Sequence, residues 1–172
     1  LKLEEPQPGV LLVTLNRPEV RNALNTQMGR ELRELFVPLK FTPGDLRAIV
    51  ITGAGDKAFC SGGDLKERKG MSDADWRLQH AIFEEGYYAV MECSVPVIAA
   101  VNGAAYAGGC ELALASDFIH ASTQARSALT EVTIGIMPGA GGTQNLPRAV
   151  GERRAKEIIL TGRPFSAAEA LE

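Results

Sequence analysis

The residues best suited to chemistry are two glutamates in apolar company, Glu111 and Glu131. Glu111 follows Gly108-Gly109-Cys110 and opens a run of Leu112, Ala113, Leu114 and Ala115. A carboxylate among such neighbours holds its proton to higher pH than usual, which suits general acid/base work. A first-turn glutamate also stabilises its own helix, so a purely structural role stands beside that one. Gly108 precedes the helix, and its N–H points out of the helix start, where the macrodipole favours negative charge. Glu131 closes Leu129-Thr130-Glu131, read as a strand end beside the Gly-rich stretch 135–142, and faces either a cavity or solvent. In Ser61-Gly62-Gly63-Asp64 the paired glycines admit close backbone approach and leave the Gly63 N–H free to donate, while Asp64 reads as a helix N-cap.

These groups need rigid elements to hold them. Val10–Leu15 reads as a strand paired with a short one at Leu1–Leu3. Asn25 or Thr26 caps a helix whose apolar face is Met28, Leu32, Leu35, Phe36 and Leu39. Leu46–Thr52 is a second strand, followed by a Gly-rich loop. The longest helix is expected over Asp73–Cys93, burying Trp76, Ile82, Phe83, Tyr87, Val90 and Met91. Val97–Val101 is a third strand and Gly109–Ala115 a short helix. Phe118–Ala121 and Ala128–Glu131 read as further strands. Ala48–Gly53 and Val97–Gly103 look alike, each a buried strand feeding a Gly loop, as in a spiral of ββα units; an ordinary α/β sheet would give the same strings.

With 172 residues, a 45% hydrophobic share and 23% charged residues, the chain fits one α/β domain with a real core. A net charge of −3 gives no drive towards nucleic acid or anionic lipid. No apolar run approaches the roughly 20 residues of a membrane helix. Cys60, Cys93 and Cys110 are odd in number and lack metal-ligand spacing, so no metal site is expected and a reducing intracellular compartment is. The 18 glycines cluster in loops, where the backbone itself is expected to act.

Taken together, four segments resemble the crotonase (enoyl-CoA hydratase/isomerase) superfamily: Lys57-Ala58-Phe59-Cys60-Ser61-Gly62-Gly63-Asp64-Leu65, Pro96–Gly103, Gly108-Gly109-Cys110-Glu111-Leu112-Ala113, and Pro138-Gly139-Ala140-Gly141-Gly142-Thr143-Gln144. The likeness runs in order from Asn16-Arg17-Pro18 to Leu160-Thr161-Gly162. It implies the superfamily's ββα spiral and a hydratase that adds water across the C2=C3 bond of a 2-enoyl-CoA. Gly63 and Gly108 match the two backbone donors of the oxyanion hole. Glu111 matches the carboxylate that takes a proton from the water, and Glu131 the one that protonates C2. Gly139 matches a loop position that helps place the water. Ala23, Lys57 and Lys66 fall in segments lining the family's CoA channel, and Ser61 is grouped with the substrate-binding residues. No cofactor is implied beyond the CoA that is part of the substrate.

The resemblance further implies a homotrimer or dimer of trimers, in the cytoplasm or, in a eukaryote, the mitochondrial matrix. It divides the chain into a core over residues 1–165 and the start of a helical region at 166–172, where Ser166 reads as an N-cap and more helices are expected to follow. Tyr106-Ala107 stands where the family often has Leu-Gly, and Ser127 where an aromatic residue is common, leaving the acyl preference open. The competing functions are an enoyl-CoA isomerase on the same fold and a non-catalytic scaffold. A dinucleotide site at Gly53-Ala54-Gly55 fails because no helix follows, and a Ser-His-Asp or cysteine nucleophile has no supporting pattern.

Overall fold

The computed structural model describes residues 1–171. β1 (Lys2–Gln7) pairs antiparallel with β2 (Val10–Leu15) through a turn at Pro8-Gly9. α1 (Thr26–Leu39) begins where the Asn25 side chain accepts the Met28 N–H at 3.0 Å, and buries Met28, Leu32, Phe36 and Leu39. β3 (Ala48–Gly53) and β4 (Ala58–Cys60) follow, then α2 (Leu65–Arg68) and the long α3 (Asp73–Met91). β5 (Val97–Val101) and β6 (Ala104–Tyr106) lead into α4 (Gly108–Ala115). The chain continues through β7 (Phe118–Ala121), β8 (Arg126–Ala128), a 3-10 turn at Glu131–Ile134, α5 (Gly142–Val150), α6 (Glu152–Thr161), β9 (Phe165–Ser166) and α7 (Ala167–Leu171).

From β3 to β8, successive strands alternate between two sheets. One has the order β1-β2-β3-β5-β7 and the other β4-β6-β8-β9. Within each, every pairing is parallel except at the edges, β1 with β2 and β8 with β9. Each of β3–β4, β5–β6 and β7–β8 therefore gives one strand to each sheet, which is the expected spiral. The two look-alike stretches are neighbours in register, with Ile49 opposite Val97 and Thr52 opposite Ala100. Asn102 ties the turns together, donating to the carbonyls of Gly53 and Gly55 at 2.9 and 2.8 Å.

α1 and α3 cover the larger sheet, and their buried faces meet Val13, Leu15, Ile49, Ile51, Val97 and Ala99. Burying each large side chain there contributes about 1.5–3 kcal/mol. Asp64 caps α2, accepting the Lys66 and Glu67 N–H groups at 3.1 and 3.3 Å, and pairs with Arg17 at 2.9 Å.

Three sequence expectations need correcting. Glu131 starts a 3-10 turn rather than ending a strand, because β8 stops at Ala128. Trp76 is not in the core; it is 44% exposed and stacks on His80 with ring centroids 5.1 Å apart. β4 and β6, expected as loop, are short strands too rich in small residues to carry an alternating pattern. Ser166 does cap α7: its hydroxyl accepts the Glu169 N–H at 3.1 Å, and Glu169 accepts the Ser166 N–H at 2.7 Å. The expected helix over 167–172 is described to Leu171, with Glu172 outside the described residues.

Candidate active site

A cavity of about 750 Å³ lies between α3, the start of α4 and the loop around Pro138. Four predicted residues meet in its wall: Gly63, Gly108, Glu111 and Glu131. Ser61 and Gly139 join them. Ala23, Lys57 and Lys66 do not; Ala23 is buried, and both lysines are exposed outside that wall.

The two glycines are brought together by close backbone packing. A Cβ on Gly109 would lie 2.1 Å from the Cys60 carbonyl oxygen, so only glycine lets α4 start against β4. A Cβ on Gly62 would lie 3.3 Å from the Gly108 nitrogen, which places the loop after β4 directly beside the helix start. Among the described residues neither Gly63 N–H nor Gly108 N–H donates to a protein acceptor, although the flanking groups do: Leu24 N–H reaches the Gly62 carbonyl, Asp64 N–H the Leu24 carbonyl and Ala107 N–H the Ala128 carbonyl. Tyr87, buried on α3, donates its hydroxyl to the Gly108 carbonyl at 2.6 Å and fixes that peptide. Ala107 takes φ 49° and ψ −123°, a conformation that strains any residue with a Cβ. It holds the first peptide of α4 in place at a cost of about 1–3 kcal/mol.

The two carboxylates lie in contrasting surroundings. Glu111 is 3% exposed, and its Oε1 accepts the N–H groups of Ala140 and Gly142, both at 2.8 Å. Burial raises its pKa above the usual carboxylate value, an effect that the Gly142 and Ala140 N–H groups and nearby His80 offset only in part. Glu131 is 6% exposed, and its Oε2 is buried without a hydrogen-bond partner among the described residues. Burial, reinforced by the charge of Glu111, pushes its pKa up to about 7. Environments that separate two carboxyl pKa values are how one site holds an acid and a base together. The buried thiols of Cys60 and Cys110 are both pushed to about 12, so neither is a nucleophile near neutral pH.

The remaining wall comes from the stretch between Thr130 and Ala140 and from one face of α3, where Trp76, His80, Phe83, Glu84 and Tyr87 recur at helical spacing. Sequence reading assigned Trp76, Phe83 and Tyr87 of this stripe to the core, since a cavity and a core both demand an apolar face, and gave His80 and Glu84 no place in the site. Arg68, from α2, was also missed.

The family described as enoyl-CoA hydratase/isomerase matches residues 5–172. The chain belongs to the enoyl-CoA hydratase/isomerase family. It is 40% identical to the short-chain-enoyl-CoA hydratase of Clostridium acetobutylicum over 97% of this chain and 64% of that protein. It is 44% identical to the mitochondrial enoyl-CoA hydratase of Pongo abelii, over 92% of this chain and 53% of that one. A crystal structure of enoyl-CoA hydratase from Bacillus anthracis superposes with a TM-score of 0.94 at 44% identity, covering 98% of this chain and 65% of that one. The chain thus spans less than two thirds of each of these relatives. Within the enoyl-CoA hydratase/isomerase family, the fold over this span is the crotonase-like spiral expected from the sequence.

Proposed function

We propose that the protein hydrates 2-enoyl-CoA thioesters to 3-hydroxyacyl-CoA. The observation that carries this reading is the contrast between Glu111 and Glu131 on one cavity, next to two unengaged backbone donors. The thioester oxygen accepts from the Gly63 and Gly108 N–H groups, which polarise the conjugated system and hold the enolate-like transition state; removing one such donor costs roughly 10²–10³ in rate. Glu111, favoured as a carboxylate by its two N–H bonds, takes a proton from water as the oxygen bonds to C3. Glu131, retaining its proton to about pH 7, delivers it to C2. Transfer of a proton from Glu111 back to Glu131 through the next water restores the site. No electrons are transferred, so the reaction asks for no redox cofactor, and CoA arrives with the substrate.

Gly139 and Ser61 are assigned to placing water and substrate, and the exposed Lys57 and Lys66, with the Ala23 backbone, to the CoA moiety. A trimer or pair of trimers is the proposed assembly; the exposed Val132, Ile134, Ile136 and Met137 supply apolar surface for contacts. No helix among the described residues is long and apolar enough to cross a membrane. Crotonyl-CoA provides the test. Hydration consumes the conjugated thioester absorbance, whereas an isomerase or scaffold leaves it intact.

A further inference from the structure

Arg68 is the one guanidinium in the cavity wall, and among the described residues no carboxylate lies within ion-pairing distance of it. It sits against the proposed oxyanion hole: a Cβ on Gly63 would lie 3.1 Å from its guanidinium carbon. The same carbon lies 5.7 Å from the centre of the Phe83 ring. A half-buried charge left unpaired in such a place is costly, and proteins normally supply a counter-charge.

The neighbouring carboxylate is turned elsewhere. Glu67 accepts the Thr26 N–H and the Gln79 side-chain amide, each at 2.9 Å. Gln79 is 1% exposed and fully engaged: its amide also donates to the Thr26 hydroxyl at 2.7 Å, and its oxygen accepts from Arg68 Nε at 2.9 Å. This buried amide orients the fork from behind, through Nε, and leaves both Nη groups without a protein acceptor among the described residues. A planar fork with two parallel donors matches a carboxylate.

We propose that Arg68 makes this a site for short enoyl-CoA substrates that carry a second carboxylate on the acyl chain. The inference rests on the hydratase reading, because it takes the thioester oxygen to lie on the Gly63 N–H. Contact between Arg68 and Gly63 then places the counter-charge within a few carbons of the thioester, not at the tip of a long chain. An alternative role for Arg68, sharing the enolate charge directly, makes no distinction between charged and neutral acyl chains.

Glutaryl-CoA and pentanoyl-CoA separate these roles. Both have five-carbon saturated acyl groups, so neither reacts, and they carry the same CoA, whose phosphates cancel in the ratio. Titration calorimetry on the protein should show glutaryl-CoA binding about tenfold tighter or more. The ratio should collapse to one or below in Arg68→Met and survive in part in Arg68→Lys. A wild-type ratio at or below one, no measurable glutaryl-CoA binding, or a ratio unchanged in Arg68→Met overturns the assignment. Crotonyl-CoA hydration by the same preparation reports separately on the hydratase reading: a ratio without hydration keeps the carboxylate site and removes the reaction, and hydration without a ratio does the reverse.

Discussion

Gly142 donates its N–H to Glu111 Oε1 at 2.8 Å, tying the first residue of α5 to the buried carboxylate on α4. There is no room to spare: a Cβ at position 142 would lie 3.0 Å from that same oxygen and 3.0 Å from the Pro138 Cβ. Gly142→Ala should displace the Glu111 carboxylate by a few tenths of an ångström and lower kcat roughly tenfold, with KM less affected. Steady-state kinetics on an enoyl-CoA check this; unchanged kcat would mean that the N–H contact does not set the geometry.

Tyr87 braces the Gly108 side of the proposed oxyanion hole. Tyr87→Phe leaves the Gly108 carbonyl without its 2.6 Å side-chain donor and should cost about 1 kcal/mol in urea unfolding. If the hydroxyl also positions the Gly108 peptide for catalysis, kcat falls with it while KM moves little.

Ala107 predicts a change in the opposite direction. Its φ of 49° with ψ −123° is strained for alanine and open to glycine, so Ala107→Gly should raise stability by about 1 kcal/mol. A lowered Tm would show that the added chain entropy outweighs the relieved strain.

Glu131 ties stability to pH. Its carboxyl pKa rises from 4.5 to about 7 on folding, so the folded state holds the proton more tightly. The resulting stability is full below about pH 4.5 and is lost as pH rises through 7. Glu131→Gln, which cannot ionise, should therefore be more stable than wild type at pH 8 by about 1–2 kcal/mol and show little gain at pH 4. Paired thermal melts at the two pH values check the sign. The wild-type rate should also fall as pH rises through about 7, since the proposed mechanism has the acid form of Glu131 protonate C2.

The elements with strong periodicity were legible in the sequence. α1 follows from the spacing of Met28, Leu32, Phe36 and Leu39 behind an Asn25 cap, and β5 from an apolar run after Pro96. β4 and β6 were not, because Ala58-Phe59-Cys60 and Ala104-Ala105-Tyr106 are too short to display a period, and both are held by long-range pairing. Glu111 was visible as a carboxylate in an apolar helix, but its two N–H partners come from 29 and 31 residues away. Glu131 stood out beside the Gly-rich stretch, but only the resemblance turned it towards the cavity, since nothing local distinguishes a buried turn from a strand end. Arg68 was not legible as a site residue: its setting depends on Gln79, eleven residues on, and on Gly63 across the loop.

In the proposed mechanism Glu111 and Glu131 act as one unit on a single water. Initial rates of crotonyl-CoA hydration, followed by loss of the conjugated absorbance, test it in the wild type, Glu111→Gln, Glu131→Gln and the double variant. Each single variant should lose roughly 10²–10⁴ in turnover while remaining folded, and the double variant should be little worse than the poorer single one. Activity within tenfold of wild type in either single variant would contradict it.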